Sequence, residues 1–246
     1  MVTKIFVTVA LTELKKSKKK LPTAVIYELF CNFARAIANN INFERMKKLI
    51  IALLLSLPTL LSAQENTWEK PKAQTQQNTD QKYLVGAVPM IDGKVTFTTT
   101  ISAPGKSRQQ IYDIVLAQLT QLVKEEEQYE NSRIALQDTA KWLVVGSYQE
   151  QLVFKRQALS FDYTRLMYTL MVECSDGEAK VTMTRIHYLY EEERDPQSLA
   201  AEEWITDQYG LTKKKNKLAR LSGKFRRKTI DRKDYLFEML TNALTK

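Results

Sequence analysis

Two long runs of alternating side chains, ALSFDYTRLMYTLMVECS and EAKVTMTRIHYLYEE, meet at Asp176-Gly177. An Asp-Gly pair between two period-two runs is a strong local signal for a β-hairpin. A hairpin of this length is stable only inside a larger sheet with one face covered, so the chain must build a layered sheet. With Asp176 and Gly177 as the turn, Ser175 faces Glu178, and Glu173 falls opposite Lys180 as a pair of opposite charge. This register places Leu166, Tyr168, Leu170, Val172 and Cys174 on one face with Ala179, Val181, Met183, His187 and Leu189, the predicted core face.

The other face carries Tyr163, Arg165, Met167, Thr169, Met171 and Glu173 with Lys180, Thr182, Thr184, Ile186, Tyr188 and Tyr190, and Arg165 is predicted opposite Tyr188. A mixed aromatic and polar surface suits a partner or ligand, because rigid rings give contact area at low entropic cost. The candidate contact residues are Tyr163, Arg165, Met167, Ile186, Tyr188 and Tyr190. The competing reading is that the C-terminal helix or the basic connector covers this face, and a bulge in either strand would reassign it.

The remaining segments fit around the hairpin. In VPMIDGKVTFTTTI, residues 88–101, Asp92-Gly93 separates two extended runs, and Val95, Phe97, Thr99 and Ile101 alternate with polar neighbours. Ser107 and Gln110 form a capping box before a predicted helix over 108–126, whose Ile111, Ile114, Val115, Leu119, Leu122 and Val123 recur at helical spacing. RIALQ, KWLVVGSY and EQLVFKR read as strands. Asp195 as cap, Pro196 at the first helical position and Gly210 as stop frame a second predicted helix. A segment with nine Lys or Arg over 213–228 reads as a solvated connector, and Asp231 caps a last helix with Tyr235, Leu236, Met239, Leu240, Ala243 and Leu244. The expected fold is α+β: an antiparallel sheet packed by helices, ordered strand, helix, four strands, helix, with an extra C-terminal helix.

VPMIDGKVTFTTTI, the helix after it and LMVECSDGEAKVTMTRIHY together resemble an exported bacterial domain of unknown function with a TATA-binding-protein-like (TBP-like) fold. The resemblance covers about residues 86–190, leaves out the chain after about residue 195, and implies a fold but no activity, substrate or catalytic residue. A shared fold does not carry function.

The front of the chain reads differently. Lys47 and Lys48 precede an apolar stretch of 13 residues, 49–61, and Leu61-Ser62-Ala63 leads to polar Gln64. This is the order of a cleavable signal peptide over 46–63, cut between Ala63 and Gln64. The apolar run falls short of the roughly 18 to 20 residues a spanning helix needs, so no transmembrane span is expected in the mature form. Residues 1–45 are either an over-extended start ahead of Met46, or a genuine cytoplasmic or targeting extension with a mixed helix over 24–41. The leader also decides the charge: residues 1–63 hold 10 of 37 Lys+Arg and 3 of 28 Asp+Glu, leaving 27 against 25 in the mature chain. A net charge of +2 gives no reason to expect nucleic-acid binding. Residues 64–82 are polar and Gln-rich and read as a disordered spacer, the domain proper spans 83–210, and 211–246 hold the connector and last helix. Without the leader's Cys31, Cys174 is the one remaining cysteine and no internal disulfide is possible.

The sequence shows no catalytic constellation. His187 is the one histidine, and in the predicted register it lies roughly 25 Å along the hairpin from Cys174, too far for a dyad. No HExxH, CxxC, Gly-x-Ser-x-Gly or phosphate-loop spacing occurs, so neither metal nor cofactor is expected. Glu125-Glu126-Glu127 and Glu191-Glu192-Glu193 sit at the ends of predicted elements, where solvated charge is ordinary. The expected function is a non-enzymatic binding module, exported to the periplasm or envelope, contacting an envelope protein, a glycan or a small amphipathic ligand. The alternatives are a carboxylate-dependent enzyme and a passive spacer. The basic segment after Gly210 is expected to meet an anionic surface, either the acidic 191–207 stretch of its own chain or anionic envelope lipid and glycan.

Overall fold

The computed structural model describes residues 66–69, 80–157 and 160–246. The start region 1–45, the expected signal peptide 46–63, its expected cleavage point at Ala63-Gln64 and residues 70–79 of the expected spacer lie outside the described residues. A 3-10 turn, Asp80–Tyr83, precedes a two-stranded sheet of β1 (Met90–Ile91) and β2 (Lys94–Val95). Then come β3 (Phe97–Ser102), α1 (Arg108–Leu122), β4 (Arg133–Asp138), β5 (Leu143–Gln157), β6 (Ser160–Ser175), β7 (Glu178–Tyr190), β8 (Gln197–Ala200), the one-turn α2 (Ala201–Trp204) and α3 (Ser222–Thr245). The main sheet runs β3-β7-β6-β5-β4, all antiparallel, with β8 beside the second half of β7.

Local chemistry builds the turns as expected. Asp92 and Gly93 both adopt positive φ, 49° and 73°, the signature of the hairpin turn that matches strand twist. At the long hairpin only Gly177 is left-handed, φ 78°, and Asp176 instead lets its carboxylate accept the Arg108 N–H of α1 at 2.8 Å. The hairpin tip thus helps cap the helix, alongside the Ser107/Gln110 capping box.

The register starts as predicted, with Ser175 opposite Glu178 and Glu173 opposite Lys180, and holds to Thr169 opposite Thr184. A bulge then intervenes, with Arg185 at φ 56°, and every later pair slips by one: Met167 faces His187, Leu166 faces Tyr188 and Arg165 faces Leu189. A one-residue slip exchanges the two faces of a strand. Ile186 and Tyr188 therefore point into the core, where His187 and Leu189 were expected.

Three further expectations give way to tertiary context. KWLVVGSY and EQLVFKR are one continuous strand, β5, whose inward positions include Glu150 between Tyr148 and Leu152. The helix expected from Asp195 to Gly210 is β8 followed by a single turn, because Gln197 to Ala200 find partners on β7 beyond the end of β3. Finally, α3 begins at Ser222, well before Asp231, so half of the supposed solvated connector is helix with Arg226 and Lys228 buried in it. Asp231 is not a cap; it accepts from the Tyr83 hydroxyl at 2.8 Å and pairs with Lys82 at 2.6 Å.

The spacer is corrected in its described parts. Residues 66–69 are docked: Asn66 pairs through its amide with both the N–H and the C=O of Val153, and Trp68 is buried against Tyr235. A single large aromatic supplies the burial that a polar tract otherwise lacks.

Both α1 and α3 lie on the same side of the sheet. Tyr148 donates to the Leu119 carbonyl of α1, Tyr188 bonds Thr229 of α3, and the buried side chains of β5, β6 and β7 pack beneath them.

Candidate functional site

The opposite side of the sheet carries no helix among the described residues. Its middle is formed by Val145 and Ser147 of β5, Met167, Thr169 and Met171 of β6, and Thr182, Thr184, His187 and Leu189 of β7, all half-buried. Three of the six candidate contact residues, Tyr163, Arg165 and Met167, stand on this open face. The other three do not: Ile186 and Tyr188 are buried beneath α3, and the Tyr190 hydroxyl bonds Asp162 and Lys224 at the edge of the helical layer while its ring meets Phe225. The C-terminal helix does not lie over the predicted face, as the competing reading had it; the bulge at Arg185 turns these three residues to the other side of the sheet, where α3 packs on them.

Arg165 organises one end of the open face. Its guanidinium makes a two-bond fork to Glu192, 2.8 and 2.7 Å, and lies 4.0 Å from the centre of the Tyr129 ring, with Gln149 beside it at 3.5 Å. A planar guanidinium suits both contacts at once, in-plane donors to a carboxylate and a face to a ring. Tyr163 donates to Glu193 at 3.1 Å, and its ring meets Phe161 at 4.9 Å. A cleft of about 360 Å³ opens beside this cluster, lined by Thr67, Glu127, Tyr129, Gln151 and Arg156 among others. Tyr129 and Gln149 carried no signal in the sequence and Glu192 read there as part of a solvated run, since only the folded sheet brings these three separate segments to Arg165.

The remaining chemistry-bearing groups are tied into structure. Cys174 is buried on the helix side while His187 is on the open face, so the two are on opposite sides of the sheet; His187 Nε2 shares a 2.6 Å hydrogen bond with Ser198 of β8. The two glutamate runs are paired, not merely solvated. Glu125 holds Arg232 at 2.7 Å, Glu127 accepts from the N–H and hydroxyl of Thr67, and Glu192 holds Arg165. Among the described residues no group of three or more His, Cys, Asp and Glu is placed to hold a metal ion.

Burial pushes the Cys174 thiol up to about 11. Its thiolate fraction at pH 8 is then about a hundredfold below that of an ordinary thiol, before access is considered. Iodoacetamide at that pH should leave Cys174 unmodified in the native protein and alkylate it readily in urea, as read by peptide mass mapping. Native alkylation at the rate of a free thiol would mean that the β6–β7 end opens easily.

Comparison with known proteins follows the same lines. The sequence profile of a domain of unknown function (DUF4468) with TBP-like fold matches residues 97–189, from β3 almost to the end of β7. The crystal structure of a DUF4468 family protein from Bacteroides ovatus is 41% identical with a TM-score of 0.63, covering 68% of this chain and 95% of that one. A TBP-like protein from Parabacteroides distasonis, 19% identical, covers 64% of this chain and 96% of its own with a TM-score of 0.52, and so shares the fold. No curated protein matches the chain. At 41% identity over 95% of the Bacteroides ovatus family member, the chain belongs to the DUF4468 family of TBP-like domains.

Proposed function

We propose that this protein is an exported, non-enzymatic contact module that presents the open sheet face to a partner in the cell envelope. The carrying observation is the asymmetry of the sheet: α1 and α3 both bury one face, while the other offers threonine, methionine and valine flanked by the Arg165, Tyr129 and Tyr163 cluster. An antiparallel sheet can leave one face to water, but a half-apolar one with a rigid aromatic and guanidinium cluster at its end has the make-up of a contact surface. Arg165 is held by Glu192, so it presents a fixed plane and little net charge, which favours an envelope protein, a neutral glycan or an amphipathic ligand over nucleic acid. Export is supported by the apolar stretch 49–61 and the Leu61-Ser62-Ala63 exit, and by the near-neutral remainder.

Two measurements test the reading. Protein recovered from the envelope fraction should begin at Gln64; a retained Met1 would remove the case for export. A photo-crosslinking amino acid at Met167 should give a discrete adduct in cells, while one at Gln109, on the exposed side of α1, should not. Equal labelling at the two positions, or none at Met167, would remove the open face as the working surface.

A further inference from the structure

The cations that the sequence gathers after Gly210 fall into two groups in the fold. Those on α3 are matched within the chain: Lys224 with Asp162, Arg226 with Asp207, Arg227 with Asp80 and Arg232 with Glu150. Lys213, Lys214, Lys215, Lys217 and Arg220 are all exposed, and among the described residues none of the five forms a salt bridge. They are gathered by a tight hairpin in which Leu211 bridges Leu218, the Thr212 N–H donates to the Lys217 carbonyl at 2.9 Å, and Lys215 takes a left-handed turn at φ 55°.

Apolar side chains stand beside this hairpin. Leu221, just before α3, is 52% exposed, Tyr209 is 45% exposed, and Val85 is 60% exposed. Hydrogen bonds bring the three together. The Ser222 hydroxyl donates to the Tyr209 carbonyl, Arg226 donates to the Leu84 carbonyl, and Asp207 accepts from both Arg226 and the Gly86 N–H. Three of the seven large hydrophobic side chains that the described residues expose therefore sit on segments joined to the first two turns of α3, directly after the hairpin.

We propose that this hairpin, with Val85, Tyr209 and Leu221, is a docking surface for a bilayer of anionic phospholipid. Charge complementarity decides the sign of the partner, and the apolar trio decides its class. Phosphate groups draw the five cations, while a bilayer also offers an interfacial region in which Leu, Val and the amphipathic Tyr gain by burial. An anionic glycan or a nucleic acid supplies the negative charge but no such region. The surface belongs to the helical layer and is separate from the open sheet face, so one surface can hold the protein at a membrane while the other meets its partner. A patch of this size without an acyl chain gives reversible binding, weakened as salt shortens the reach of the charges.

The test uses protein recovered from cells expressing the full 246-residue chain. Sedimentation with phosphatidylglycerol-containing vesicles at about 0.1 M salt should pull it down, and pure phosphatidylcholine vesicles should not. Changing Lys213, Lys214, Lys215, Lys217 and Arg220 together to Gln should weaken vesicle binding by roughly tenfold or more. The Tyr209→Ser/Leu221→Ser variant should weaken it several-fold with the charge intact, and Lys94→Gln/Lys141→Gln should leave it unchanged. A matching urea midpoint confirms that each variant is folded, and the apolar pair tests the surface independently if the charge variant does not fold. The proposal is overturned if anionic vesicles do not bind the unaltered protein, if the charge variant binds as well as it does, or if a soluble polyanion binds as tightly and is indifferent to Tyr209 and Leu221.

Discussion

Replacing Arg232 with alanine should destabilise the fold by about 3–5 kcal/mol. Arg232 is fully buried on α3 and forks onto Glu150 of β5, itself 1% exposed, with bonds of 2.8 and 2.7 Å, and it reaches Glu125 as well. Glu150 also accepts from Gln128 and from the Tyr168 hydroxyl, so its carboxylate is satisfied on every side while the pair is intact. Removing the guanidinium leaves a carboxylate enclosed by Tyr148 and Tyr168, where water cannot replace the lost partner. The same substitution withdraws the cation from the rings of Trp68 and Tyr235, about 5 Å away, and so loosens the docked segment 66–69. In urea titration the midpoint should fall with an unchanged slope. A buried ion pair is not itself a strong source of stability, however, and one guanidinium nitrogen of Arg232 has no partner among the described residues. The double variant Arg232→Met/Glu150→Leu should therefore recover more than half of the loss. A loss below about 1 kcal/mol for Arg232→Ala would show that water reaches Glu150 and that the network is not dry.

Glu150 also marks where sequence reasoning loses hold. The elements it reached are those specified within a few residues: Asp92-Gly93, Asp176-Gly177, the Ser107/Gln110 box and the alternation of β3 and β6. Those it missed depend on a distant partner. An acidic residue at an inward strand position reads as a break unless Arg232 is known to be above it, so the sequence of β5 reads as two strands. Asp195-Pro196 is a fair helix start in isolation, yet the free second half of β7 takes Gln197 to Ala200 as a strand. Arg185 has nothing in its local sequence that demands a left-handed turn, and that one residue moved Ile186 and Tyr188 from the open face to the core. Half of the candidate site was therefore legible, the β6 half, because β6 keeps strict alternation from Tyr163 to Ser175. A signal for α3 did exist: Phe225, Thr229, Arg232, Leu236, Leu240 and Leu244 are spaced as one helical face and are all buried. The stripe was hidden because two of its upper members are a threonine and an arginine, and because basic side chains surround it.

Phe225 is the strongest test of that stripe, and Phe225→Ala should cost about 3–5 kcal/mol. The residue lies in the segment that reads as a solvated connector, flanked by Lys224 and Arg226, yet its ring is fully buried. It meets Phe154 of β5 at 4.5 Å, Tyr188 and Tyr190 of β7 at 5.2 and 5.3 Å, and Trp204 of α2 at 5.8 Å. Three of these contacts are near-perpendicular, 79° to 88°, the edge-to-face geometry that adds to simple burial. Alanine removes the ring from between two strands and two helices that are already fixed by backbone pairing and by the Tyr188–Thr229 hydrogen bond, so the space cannot collapse and the cavity persists. Phe225→Leu fills much of it and should lose less than half as much, whereas a solvated phenylalanine would make both changes nearly neutral. Near-neutral urea midpoints for both variants would return this stretch to the surface. A large loss for alanine alone, with crosslinking from Met167 unchanged in the folded fraction, would separate the aromatic layer that holds α3 to the sheet from the open face that is left to make contacts.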